Sequence, residues 1–239
     1  MFKKFILSCP DDRLTMSRWQ IIKKAIAWLA VLCLTTVAIR MACLIGYMAI
    51  GINPMELTQF GGDAKNHDAS LRTFFLLLVI APVCEELLCR LPLAFKRKVV
   101  GVWAILLPLI IAGYVLDEPS DFVDNFHQMN WLLYLGLLIL GTCLAWLINK
   151  YTTDEQWAAW RTRFIVPAMW AAAIIFGLLH LLAFTEMSFM LIPFIVTTIM
   201  VPFAGGCIFT YARVNLGFWW GVLFHMCFNI PALLAVFLM

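Results

Sequence analysis

Charge is scarce in this chain. Asp, Glu, Lys and Arg make up 13% of its 239 residues, where a soluble domain carries about 25%. Apolar residues fill 64%. Too little polar surface remains to cover a globule in water, so the solvent for the fold is lipid. Linkers are also missing. No Ser/Gly/Pro-rich stretch or charge block divides the chain, which points to one helical domain. No internal repeat is visible, and this argues against the inverted-repeat build of many secondary transporters. The net charge of +3 says little by itself, and no nucleic-acid partner is expected.

Several chemical signatures are absent as well. There is no CxxC pair and no HExxH zincin motif. No serine or cysteine motif stands out as a nucleophile. The eight cysteines sit mostly inside apolar runs without ligand-like His neighbours. They read as small apolar helix-packing residues, not as a disulfide framework or zinc cage. The N-terminus hints at a signal peptide, but its apolar run stops after Phe5-Ile6-Leu7, too short for an h-region. No cleavage is expected, and the first true span acts as the anchor.

What is present is a series of long apolar segments, several beyond the ~18 residues that mark a spanning helix. Seven are expected, at about 25–49, 73–95, 99–116, 130–149, 164–184, 189–212 and 216–238. The fold class is therefore all-α, a polytopic transmembrane helical bundle in contact with the lipid bilayer. Residues 1–24 form an N-terminal tail and 25–239 a single transmembrane domain. Lys and Arg alternate with the connections. They are dense in the tail (Lys3, Lys4, Arg13, Arg18, Lys23, Lys24), at Lys96-Arg97-Lys98, at Lys150, Arg161 and Arg163, and at Arg213. The intervening connections carry Glu56, Asp63 and Asp68, then Asp117, Glu118, Asp121 and Asp124, then Glu186. The positive-inside rule puts the N-terminus in the cytoplasm and the C-terminus outside. Residues 150–163 mix Trp157 and Trp160 with charges, as a short interfacial helix or a polar loop with aromatic anchors would.

Against this background, ionisable residues inside spans are functional candidates, because a charge at bilayer depth costs at least about 2.5–3.5 kcal/mol. Arg40 is one, in the first span. It either snorkels or pairs with a carboxylate on another helix. The second span holds Glu85, Glu86 and Arg90 within six residues. Glu86 and Arg90 are i and i+4, share a face and can pair. Glu85 points about 100° away and is left to face a cavity, where desolvation raises a carboxylate's pKa toward general acid/base use. The fifth span carries Phe176 and His180, the seventh His225 and Asn229, again i and i+4. His67 and His127 fall in external loops and are expected to be bland. A carboxylate with histidines can activate water for attack on an amide, while Asn and His donate to the developing oxyanion. Alternatively Glu85, His180 and His225 could ligate a zinc ion that activates the water.

The three motifs occur in order: Glu-Glu-x-x-x-Arg at 85–90, Phe-x-x-x-His at 176–180 and His-x-x-x-Asn at 225–229. This resembles the CPBP family of CAAX proteases and bacteriocin-processing enzymes, also called the ABI family, which includes the type II CAAX prenyl endopeptidases. The resemblance covers roughly residues 73–238. It implies an intramembrane endopeptidase acting on a peptide or membrane-protein substrate, in a bacterial inner membrane, as a metalloprotease or a metal-free glutamate protease. It further implies that Glu85 with His180 activates the water, that His225 and Asn229 form the oxyanion side, and that Glu86, Arg90 and Phe176 support them. A non-catalytic member in bacteriocin immunity or scaffolding is the competing expectation, and a proton-coupled transporter a third.

Two features depart from the pattern. Glu85 and His180 are 95 residues apart, where typical members have a few tens. The extra length is a helical hairpin at 99–149, inserted between core segments 73–95 and 164–238, and two added helices preserve the direction of the later ones. The second feature is depth. From the cytoplasmic side His225 lies about 9 residues into its span and His180 about 16, a mismatch of roughly 10 Å. Tilt, or a fifth helix that starts deeper than residue 164, has to close it.

Overall fold

The computed structural model describes residues 16–51, 74–116, 131–183, 189 and 192–238. The acidic connections, His67, His127 and Cys9 lie outside the described residues. Helix accounts for 95% of what is described, with no strand among those residues. Seven α-helices follow one another: α1 (Arg18–Ala49), α2 (Ala81–Arg90), α3 (Arg97–Leu116), α4 (Trp131–Tyr151), α5 (Asp154–Leu179), α6 (Ile192–Leu216) and α7 (Phe218–Leu238). Each falls on one of the seven apolar segments read from the sequence. Among the described residues, four helices are long and apolar enough to cross a membrane: Arg18–Ala49, Leu132–Tyr151, Asp154–Leu179 and Ile192–Leu216. Large apolar side chains stand exposed along them, Leu34 at 73% and Leu132 at 79%. That would be a fault in water and is the normal state of a surface solvated by lipid.

The chain divides into two compact units. The first comprises Met1–Val83 and Pro167–Met239, the second Cys84–Val166. In the first, α1 packs along α6 and α6 along α7. Ile21, Ala25 and Leu29, spaced four apart, form the buried stripe of α1. Trp28 near the start of α1 meets Tyr211 near the end of α6, with ring centroids 5.2 Å apart. At the opposite ends Tyr47 meets Phe194 edge-on at 6.4 Å, so the two helices run antiparallel. Gly217 joins α6 to α7. Its φ of +113° is open to glycine alone, and its N–H closes on the Ala212 and Arg213 carbonyls at 3.3 and 3.2 Å.

In the second unit α3 and α4 form a hairpin. Arg97 stitches its open end. One terminal nitrogen donates to the Asn149 and Thr152 carbonyls, which the end of α4 leaves without intrahelical donors, and Nε lies 3.5 Å from Asp154.

Two helix starts differ from the hydropathy reading. α1 begins at Arg18, so Lys23 and Lys24, expected in the tail, lie inside the helix. The cause is a capping box: Ser17 Oγ accepts from the Gln20 N–H and Gln20 Oε1 accepts from the Ser17 N–H. The same device, Thr153 with Gln156, starts α5 at Asp154. The segment 150–163, expected as a short interfacial helix or a polar loop, is therefore the end of α4 and the first part of α5, with only Thr152 and Thr153 between them. Glu155 sits in that first turn. Its carboxyl is held below the usual carboxylate range, chiefly by hydrogen bonding to the Thr153 side chain and then to its own backbone.

Candidate functional site

The second apolar segment does not form one plain helix. Phe74 and Phe75 are helical, Leu76–Ile80 are wound as a π-turn, α2 follows, and a 3₁₀ turn at Leu91–Ala94 ends it. On α2 the Glu86 carboxylate and the Arg90 guanidinium form an ion pair, and both residues are completely buried. Glu85, one position earlier, is half-buried. The division between a paired and a differently facing glutamate, expected from helix spacing alone, is thus present.

The imidazoles belong to the first unit. Phe176, only 1% exposed, is their common neighbour. The His180 ring meets it edge-to-face at 5.1 Å and the His225 ring does the same at 5.1 Å. The depth mismatch read from the sequence is therefore closed, because both rings touch one phenyl. The fifth helix does not start deeper than residue 164 but earlier, at Asp154. α5 comes close to α6 at Gly177, where an added Cβ would lie 2.9 Å from the Phe203 Cβ and 3.0 Å from the Ile199 carbonyl. The chain then leaves α-geometry at His180, in the 3₁₀ turn His180–Ala183.

His180 Nδ1 lies 2.9 Å from the Phe176 carbonyl oxygen. A carbonyl only accepts, so Nδ1 carries the proton and donates it. In its neutral form such a ring has its lone pair at Nε2, which is the form a general base or a metal ligand needs. His225 is 2% exposed and stacks on Phe209 at 4.6 Å with the planes 16° apart. Phe209 also touches Phe176 and Phe228, so the two rings against His225 are in contact with each other. Nothing in the sequence spacing pointed to Phe209, which sits on a helix that carries no motif. Asn229, one turn beyond His225, is half-buried and donates from Nδ2 to the Leu77 carbonyl at 3.2 Å.

The expected site residues thus fall into two sets. Glu85, Glu86 and Arg90 belong to the second unit, and Phe176, His180, His225 and Asn229 to the first. Among the described residues of neither unit do three His, Cys, Asp or Glu side chains cluster in a way that could hold a metal ion. Cys33, Cys43, Cys84, Cys89, Cys143, Cys207 and Cys227, the described cysteines, form no disulfide with one another. Arg40 stands on an exposed face of α1, with no ion pair among the described residues. No protein-family model, curated protein or solved structure matches the chain.

Proposed function

We propose that the chain is an intramembrane endopeptidase that hydrolyses a peptide bond of a membrane-proximal peptide. In this reading Glu85 and His180 activate the attacking water, and His225 with Asn229 faces the developing oxyanion. Glu86 and Arg90 brace the helix that carries the carboxylate. The observation that carries the reading is the state of His180. Its Nδ1–H is committed to a backbone carbonyl, so in the neutral form the ring would act through Nε2, and its phenyl neighbour also touches the second histidine. The likeness of the three motifs to CPBP proteases supports the same chemistry. Water activation by the carboxylate and histidine alone accounts for it. Zinc held by Glu85, His180 and His225 is the variant that chelation tests.

The accompanying topology is seven spans with the N-terminus in the cytoplasm, in a bacterial inner membrane. A belt in the first unit supports it. Arg18 lies over Trp220, Lys24 over Trp28 and Tyr211, and Arg213 over Phe218, all within 6.0 Å of the ring centroids. Cations over aromatic rings at one end of a bundle suit a cytoplasmic interface.

The test uses the full chain in liposomes with membrane-proximal peptides, prenylated and unprenylated, against Glu85→Gln. A general base contributes about 10²–10⁴-fold, so cleavage should fall at least a hundredfold. Equal cleavage by the variant would sink the proposal. A chelator that abolishes wild-type cleavage, with zinc restoring it, selects the metal variant. One observation favours a non-catalytic scaffold instead: the Asn229 amide is already engaged with a backbone carbonyl. On that reading no peptide is cut by the wild type either.

A further inference from the structure

The packed helices of the first unit bring their cations to one end. Arg18, Lys23 and Lys24 lie in the first two turns of α1, and Arg213 lies in the last turn of α6. Lys24 is over Tyr211 of α6 at 5.1 Å, and Arg18 is over Trp220 of α7 at 6.0 Å, so α1 reaches both neighbours with a cation. Arg213 in turn is over Phe218, the first residue of α7, at 5.4 Å. No Asp or Glu falls among the described residues of this unit. Upstream, residues 1–17 add three cations against two carboxylates, so the excess of positive charge stands. An aromatic face attracts a cation but brings no counter-charge, and ammonium and guanidinium groups keep N–H donors for an anion.

Beside the cations the surface is apolar and exposed. On α1 Trp19, Lys23 and Ile26, spaced four and three apart, share a face, and all are exposed, Trp19 at 61%. On α7 Trp219 heads a similar stripe, itself 71% exposed, with Leu223 and Ile230 exposed four and eleven residues further on. Each stripe carries a tryptophan at the cationic end and aliphatic side chains deeper along the helix, the order of an interface followed by hydrocarbon. A free anion would use the cations and leave the stripes idle. A ligand with an anionic head and hydrocarbon chains uses both.

We infer that this end of the first unit binds the phosphate headgroup of an anionic phospholipid, with the acyl chains lying along the exposed stripes of α1 and α7. Arg18 and Lys23, both exposed, make the headgroup contact, and Trp19 and Trp219 set its depth. The site takes lipid and needs no peptide substrate, so it stands or falls apart from the protease reading.

The full chain in neutral detergent micelles is mixed with equal amounts of phosphatidylglycerol and phosphatidylcholine carrying the same acyl chains, and native mass spectrometry counts the lipid retained. A cation beside an anionic headgroup is worth about fivefold, so phosphatidylglycerol should be retained about tenfold over phosphatidylcholine. Arg18→Gln/Lys23→Gln should bring that ratio to within about twofold of unity. Neither side chain is buried and neither belongs to the Ser17–Gln20 cap, so the variant keeps its helix. Arg161→Gln/Arg163→Gln removes the same charge from the second unit and should leave the preference in place. At constant ionic strength, inorganic phosphate in tenfold excess should not displace the lipid. Three results overturn the inference: no preference in the wild type, equal loss in the two double variants, which would mean diffuse charge, or displacement by phosphate, which would mean a free-anion site.

Discussion

Glu86 and Glu85 are adjacent in sequence, yet one carboxylate is sealed against Arg90 and the other is half-buried. The difference is rotational. Four residues bring Glu86 under Arg90, and the 100° step to Glu85 removes it from that pairing face. Burial makes the pair sensitive to the loss of either member. Glu86→Gln leaves a guanidinium without its counter-charge, and Arg90→Met leaves a carboxylate, and each should cost about 3–5 kcal/mol. Glu86→Leu/Arg90→Met removes both charges and should recover most of that loss. Thermal unfolding of the purified variants in detergent measures the coupling, and strictly additive losses would contradict the pairing. This pair was legible in the sequence because a helical spacing rule covers it. The stacking of Phe209 on His225 was not, since Phe209 lies on another helix and no spacing connects the two. Phe176 was readable only as a motif position, and its contact with both imidazoles needed the packing of α5 on α6.

At the level of helices, hydropathy located the seven described elements but misplaced the starts of α1 and α5. It weighs apolar content, whereas Ser17 with Gln20 and Thr153 with Gln156 start helices by satisfying backbone N–H groups in polar sequence. The π-turn at Leu76–Ile80 was equally hidden, although Pro82 marked where it could form. Close helix crossings are a third feature that periodicity cannot show. Gly141 on α4 faces the backbone of α3, where an added Cβ would sit 2.7 Å from the Ile105 Cα and 2.8 Å from the Ala104 carbonyl. Neither neighbour can swing aside, so Gly141→Ala must force the hairpin apart. A loss of about 1–3 kcal/mol is expected, read as a lower unfolding midpoint of the full chain. Gly136, on the same helix, has nothing within 4 Å of its Cβ position. Gly136→Ala should therefore leave the midpoint unchanged or raise it slightly, since alanine is the better helix former. Equal midpoints for the two variants would mean that α3 and α4 do not approach this closely.

For the whole molecule, the proposed direction of entry into the membrane rests on the placement of its cations. α1 is 32 residues long, about 48 Å at 1.5 Å per residue, and exceeds the ~30 Å hydrocarbon core. In the proposed topology its first turns, with Arg18, Lys23 and Lys24, emerge on one side, and Lys23 and Lys24 lie over Trp19 and Trp28 at 5.5 and 4.9 Å. α1 and α6 are antiparallel, so Arg213 at the end of α6 emerges at the same end of the unit. If that side is the cytoplasm, the connection before α3 (Lys96-Arg97-Lys98) and the one before α5 should face it too. Alkaline phosphatase, which is active only outside the cytoplasm, should then be inactive when fused after Lys98 or Lys150 and active when fused after Met239. Moving cations ought to act on the same equilibrium. Replacing Lys96, Arg97 and Lys98 with glutamine should weaken the difference between the fusion sites, because flanking Lys and Arg set orientation and acidic residues contribute little. Activity of the fusion after Lys98 in the unaltered chain would reverse the orientation. It would also place the belt of Arg18, Lys24 and Arg213 on the outer side, against the direction in which these charges are retained.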